Sequence, residues 1–260
     1  MTSTLLLTVV GGAGDAPSNV IEWFTDLENR ANSGSIPSQA WLTIWHSAFA
    51  LAVVVALAVP LAVVLAHHRK AELAATWLIN IGRAVPTVTI VGVLVIVSLR
   101  NGFGLEPWPI VIALVLLGMP PAFTNTYAAV RAVDPSAVDA ARAMGFTHRQ
   151  VMQRVEIPLG LPIIMAGVRT AAVQIVATEP LAAFFGSDGL GAYLRAGLAD
   201  RANGGVQVQG GALLVAGLAI VAELTLIALT WFVLPKGVRR GVTTGRAQRR
   251  LREGAAPATT

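Results

Sequence analysis

Apolar residues run in blocks of about twenty or more along this chain, divided by shorter polar stretches. The blocks cover residues 41–66, 73–99, 108–130, 157–185 and 212–234. The first is uncharged from 48 to 66 and the third is uncharged throughout, whereas Arg83 and Pro86 interrupt the second. Arg169 and Glu179 lie in the fourth and Glu223 in the fifth. Each block is long enough to cross a hydrocarbon core about 30 Å thick, which takes ~20 helical residues. A lone strand would leave amides unpaired in lipid, so the blocks predict helices. The expected fold is an all-α membrane protein of about five transmembrane helices, with a transmembrane domain over residues 41–235. Trp41, Trp45, Trp108 and Trp231 fall near block ends, where amphipathic rings favour the membrane–water interface.

The flanks are simpler. Residues 1–40 predict an extracytoplasmic tail with a short surface helix over about 20–29. LLLTVV near the start has no basic region before it and is too short to span. Residues 236–260 are basic and predict a disordered cytoplasmic tail.

Composition agrees with this class. Hydrophobic residues make up 55% of the chain and charged residues 13%, against about 25% charged in soluble domains. Loop charge then sets orientation. With the loop between blocks three and four in the cytoplasm, thirteen Lys and Arg fall on that side: Arg69 and Lys70, four between Arg131 and Arg154, and seven beyond residue 235. Only Arg30, Arg100, Arg195 and Arg201 fall on the other. This bias predicts the N-terminus outside and the C-terminus inside. It also accounts for the net charge of +5 without nucleic acid. The absence of cysteine excludes disulfides and thiolate ligation. His67 and His68 are adjacent, and His46 and His148 lie far off, so no metal-ligand spacing emerges. No nucleophile–base set is apparent, which leaves no catalytic residue to name, and no G-x4-G-K-[ST] phosphate loop is present.

Between blocks three and four lies a charged segment, DAARAMGFTHRQVMQRVEIP, over residues 139–158. Asp134 before Pro135 is a good helix start, since a carboxylate caps free amides and proline suits the first turn. Gly145 would end that helix in a left-handed conformation. Thr147 and Gln150 have capping-box spacing for a second short helix carrying Arg149, Met152 and Arg154. Pro158 would then open the fourth span. The expectation is two short helices joined at a glycine elbow, with Ala140, Ala141 and Gly145 offering a small-residue surface for close approach by another protein.

The same segment resembles the EAA loop of bacterial ABC-importer permeases, E-A-A-x3-G-x9-I-x-L-P. Asp139 stands for Glu, Ala140, Ala141, Gly145 and Pro158 match, and Val155 and Ile157 replace Ile and Leu. The resemblance extends over about three-quarters of the chain to osmoprotectant permeases. It is carried by GRAVPTVTIVGVLV (82–95), Asn125-Thr126-Tyr127, GVRTAAV (167–173) and GSDGLG (186–191). Thr124 departs from the arginine often found there, and Glu179-Pro180 stands where small uncharged residues are usual. The resemblance implies a permease of the bacterial cytoplasmic membrane, carrying glycine betaine, choline, carnitine or related solutes. It implies a cytoplasmic ATPase dimer, a second permease subunit and an extracytoplasmic substrate-binding protein as partners, within the lipid bilayer. The permease itself would hold no cofactor, ATP being used by the ATPase. ATPase coupling would fall to Asp139, Ala140, Ala141, Gly145, Arg149, Val155, Ile157 and Pro158. By the same resemblance, GSDGLG would help close an outer gate; its glycines do not fit a dinucleotide fingerprint.

Ionisable groups within spans are costly and must face protein, water or the interface. Arg83 near a span end fits snorkelling. Arg169, Glu179 and Glu223, with Asn125 and Tyr127, are the candidates for lining a transport path, and a structural ion pair is the alternative for the charged ones. A methionine or other amino-acid permease would share the spans and the loop; a passive channel or an intramembrane enzyme is the alternative of another class.

The charge count makes a direct prediction. A single cysteine at Ser33 will react with an impermeant thiol reagent in intact cells, and one at Thr244 only after permeabilisation. Labelling at 244 from outside would overturn the N-out, C-in arrangement.

Overall fold

The computed structural model describes residues 19–25, 35–68, 87–104, 107–200 and 204–234. Arg83, Pro86 and the basic segment 236–260 lie outside the described residues. The elements are α1 (Val20–Thr25), α2 (Ile36–His68), α3 (Thr87–Arg100), α4 (Trp108–Arg131), α5 (Pro135–Ala143) and α6 (His148–Val151). A π turn (Met152–Glu156) leads into α7 (Ile157–Thr178), a 3-10 segment (Glu179–Phe185), α8 (Gly191–Ala199) and α9 (Gly205–Val233). No strand occurs among the described residues.

Four of these helical segments are long and apolar enough to cross a membrane: Ile36–His68, Trp108–Arg131, His148–Phe185 and Gly205–Val233. The first, third, fourth and fifth expected spans therefore have their counterparts. The second is represented by α3 alone, since the first half of that block lies outside the described residues.

One expectation is corrected. The helix begun at Thr147 does not stop before Pro158 but continues as a single helical run from His148 to Phe185. Proline at 158 cannot donate to a carbonyl one turn back, and its ring crowds that carbonyl. The chain widens instead, and the Ile157 amide donates to the Met152 carbonyl five residues back. A π turn of this kind absorbs the misfit without ending the helix.

The core forms where α2, α4 and α7 meet. Ala50, Val54, Ala58 and Ala62 recur every four residues and make one narrow stripe along α2. They pack on Ile110, Leu114 and Phe123 of α4 and on Ala171 and Ile175 of α7. Small residues permit this approach, which is the main source of helix association inside lipid. Gly167 shows how close it is: a Cβ there would lie 2.5 Å from the Asn125 Cβ. By contrast α9 is peripheral, with only Gly210 and Gly211 buried, and Leu224, Trp231 and Phe232 facing outward.

The amino-terminal helix lies at the surface along one side, where Ile21 and Glu22 are exposed, but turns Trp23 inward. Trp23 is buried, edge-on to Tyr193 at 5.1 Å between ring centroids, against a Gly210 backbone that leaves no room for a Cβ. Residues 19–25 are thus packed into the same end of the bundle as α8 and the start of α9.

Candidate functional site

Local chemistry builds the segment between α4 and α7. The Asp134 carboxylate accepts from the Ser136 amide at 2.9 Å, with Pro135 in the first turn of α5. That amide holds the Asp134 carboxyl below the usual carboxylate range. The cap is therefore present above the ordinary carboxylate pKa and is lost only as pH falls through the lowered one. At the other end Gly145 has φ +87, with nothing within 4 Å of the place a Cβ would take. Its requirement is conformational rather than steric. Thr147 and Gln150 form the expected reciprocal capping box.

Val138 and Ala141 of α5 turn inward onto Val151, with Val133, Phe146 and Val155 partly buried around them. Burying one valine contributes about 1.5–3 kcal/mol. The exposed Asp139–Arg142 contact at 3.9 Å is worth at most about 0.5 kcal/mol, so apolar burial holds the helix in place. This geometry corrects the expected contact surface. Ala141 is buried, whereas Asp139, Ala140, Gly145 and Arg149 are exposed. Met144, passed over in the sequence, is 70% exposed and completes that face. Ile157 packs with Val63, Ala66 and Val130, tying the base of the segment to α2 and α4. Pro158 is half-buried in the first turn of α7.

Two of the charged groups expected within spans come together. Arg169 Nε lies 2.9 Å from Glu223 Oε1, joining α7 to α9, and both side chains are more than a third exposed. Glu179 stands apart from them. It is buried, with Oε1 3.1 Å from His46 Nδ1, while its Oε2 has no hydrogen-bond partner. Asn125 donates to the Pro121 carbonyl at 2.8 Å, so its amide is used within α4. Tyr127 stacks on Phe123 in the core, its hydroxyl buried without a partner. Neither faces Arg169–Glu223 or Glu179 through a hydrogen bond in this conformation.

His46 belongs to a polar stripe that the sequence reading missed. Gln39, Thr43, His46 and Ser47 lie on one buried face of α2. Gln39 Oε1 accepts from the Gly189 amide at 2.5 Å, and Thr43 Oγ1 from the Leu190 amide at 2.9 Å. The stripe thus grips the GSDGLG loop while His46 holds the 3-10 segment that precedes it. Polar residues at 39, 43 and 46–47 in an otherwise apolar helix were the available signal.

Comparison with known proteins agrees with this architecture. Residues 58–234 match the family described as binding-protein-dependent transport system inner membrane component. The carnitine transport permease protein OpuCB of Listeria monocytogenes is 31% identical over 209 residues, covering 80% of this chain and 92% of that protein. The choline transport system permease protein OpuBB of Bacillus subtilis is 30% identical, covering 65% and 76%. The osmoprotectant import permease protein OsmW of Salmonella typhimurium is 30% identical, covering 65% and 78%. Among solved structures, the MetNI methionine ABC transporter in an inward-facing conformation has a TM-score of 0.66 at 18% identity, covering 75% of this chain and 94% of that one. At that identity the likeness is one of fold.

The buried contact of His46 with Glu179 predicts strong non-additivity. His46→Leu alone strands the buried Glu179 carboxylate, at a cost of about 3–5 kcal/mol if the pair is charged. The double substitution, with Glu179→Leu added, will recover most of that loss. Denaturation of the purified variants in detergent checks this; additive losses would show that the two side chains do not act as a pair.

Proposed function

The chain belongs to the family of binding-protein-dependent transport system inner membrane components, and on that premise we propose that it serves an ATP-driven importer of osmoprotectants, compact quaternary-ammonium solutes such as glycine betaine, choline or carnitine. The observation that carries the substrate class is the agreement among relatives. Permeases named for carnitine, for choline and for osmoprotectants are each 30–31% identical to it over about two-thirds or more of the chain. The methionine transporter's likeness is of fold alone and does not compete with those sequence matches.

In this reading the chain is a multi-pass subunit of the bacterial cytoplasmic membrane, N-terminus outside and C-terminus inside. It pairs with a second permease subunit, the same chain or a sibling. An extracytoplasmic binding protein delivers the solute, and a cytoplasmic ATPase dimer drives the conformational cycle. Energy enters through residues 134–158. Asp139, Ala140, Met144, Gly145 and Arg149 form the exposed docking face, and Val155, Ile157 and Pro158 pass its movement into α7. Support comes from the geometry: α5 is short, capped at its first turn, seated on its own small core and joined directly to a membrane helix. A partner can shift the transporter only by binding one conformation better than the other, which is the part assigned to the ATPase.

Arg169–Glu223 is our candidate for the transport route. An ion pair exposed by about a third is costly against lipid, so its open side is assigned to water or to the second permease. Glu179 is shut away with His46 in this conformation, and its contact with a passing cation belongs to another state of the cycle. Aromatic faces that hold quaternary ammonium groups by cation–π attraction are assigned to the binding protein. The chain's two tyrosines, Tyr127 and Tyr193, both pack against other rings.

The test is substrate-stimulated ATP hydrolysis by the complex reconstituted with its ATPase and binding protein. Betaine, choline or carnitine will raise hydrolysis at least several-fold, and methionine will not. Stimulation by an amino acid with none by any quaternary ammonium solute would sink the substrate assignment.

A further inference from the structure

One titratable contact plays no part in the reading above. His67, at the inner end of α2, places Nδ1 2.6 Å from Glu156 Oε2, and both side chains are under a tenth exposed. Glu156 is the last residue of the π turn that Pro158 imposes, the point where the coupling segment becomes a membrane helix. The contact lies beside a cavity of about 330 Å³ lined also by Val138, Asp139 and Arg142 of α5. His148 of α6 sets its ring edge-on to His67 at 5.9 Å. The end of α2 is therefore fastened to the base of the coupling segment by a short hydrogen bond and flanked by two of its helices.

The opposite end of α2 carries the other cluster of polar contacts. Gln39 and Thr43 hold the amides of Gly189 and Leu190, and His46 holds Glu179. Between His46 and His67 the helix is continuous, with Pro60 inside it. Twenty-one residues at 1.5 Å each make about 31 Å of helix. Its middle is the alanine and valine stripe packed on α4 and α7, a stretch held by apolar contacts alone. Val63 and Ala66 already pack on Met152 and Ile157 at the base of the segment, a contact without direction; the His67–Glu156 bond adds register to it.

We propose that Glu156 and His67 are positioning residues that make α2 follow the coupling segment, so that the state of the ATPase is transmitted along α2 to the loop at residues 187–190. This rests on the permease reading and adds a route from inner to outer end. The partner at the inner end is the one already assigned; what is new is the fastening and the helix that carries its movement. A carboxylate and an imidazole suit the task, since a hydrogen bond involving a charged group is shorter and more directional than a methyl contact and fixes register as well as distance.

The test uses the full complex reconstituted with its ATPase and binding protein, with a reporter cysteine at exposed Asp188, the native chain having none. Labelling by an impermeant maleimide is compared without nucleotide and after vanadate trapping. In the otherwise unaltered chain the two states will differ at least fivefold. Glu156→Ala will bring the difference below twofold while basal ATP hydrolysis and co-purification stay within twofold, and transport per ATP will fall at least fivefold. The isosteric Glu156→Gln, which keeps the volume if the alanine variant does not assemble, will reduce the difference by at least half. The exchange His67→Glu with Glu156→His will restore it. A merely structural role would lower uptake and hydrolysis together, in proportion to the folded complex. Retention of the full nucleotide-dependent difference in Glu156→Ala or Glu156→Gln would overturn the proposal. So would the absence of any difference in the unaltered chain while ATP still drives uptake, which would leave the permease reading standing. If ATP drives no uptake at all, that reading falls and takes the proposal with it.

Discussion

The cost of an unsatisfied polar group in a low-dielectric interior organises this molecule more than any other constraint. Within lipid there is no water to accept a stray proton or charge. The ionisable side chains described in the spans accordingly meet across helices: Arg169 with Glu223, and Glu179 with His46. Glu156 and His67 do the same near the end of α2. Each contact joins a different pair of elements, so satisfying the charges also fixes how the helices stand relative to one another. The apolar core sets how closely the helices approach, and the directional pairs add register to it.

The same constraint explains the irregular backbone. Pro158 removes a donor, and the chain answers with a π turn rather than a break. In α4, Thr124 donates back to the Pro120 carbonyl and Asn125 to that of Pro121. Such side-chain bonds help keep a proline-bearing helix satisfied within a bundle. The consequence at residue 158 reaches furthest. A break there would have left α5 and α6 on a flexible joint, whereas the unbroken helical run from His148 to Phe185 joins α6 directly to α7.

Spans, caps and the glycine elbow were legible in the sequence because each depends on neighbours within a few residues. The block at 108–130 became Trp108–Arg131, Thr147 and Gln150 formed their capping box, and Gly145 took positive φ. What stayed hidden depends on residues far apart in the chain. His46 meets Glu179 across 133 positions, and His67 meets Glu156 across 89. No local pattern announces such partners. Ala140 and Ala141 are adjacent and chemically identical, yet one faces out and the other in, because the burial of Val138 sets the phase of α5. The seat of Trp23 stayed hidden for a related reason: VIEWFT by itself shows nothing of the glycine surface on α9 that receives the ring.

The central claim is that the face made by Ala140, Met144 and Gly145 is where the ATPase takes hold. It is tested most directly by cross-linking in the reconstituted complex. Cysteines introduced one at a time at Met144, at Ala140 and, as a control at the other end of the bundle, at Asp188 meet a bifunctional thiol reagent short enough to require contact. The account predicts that positions 144 and 140 join to the ATPase subunit, with a yield that changes between nucleotide-free and vanadate-trapped states, and that 188 does not. An active complex in which neither 144 nor 140 can be joined to the ATPase, or in which 188 joins equally well, would contradict it.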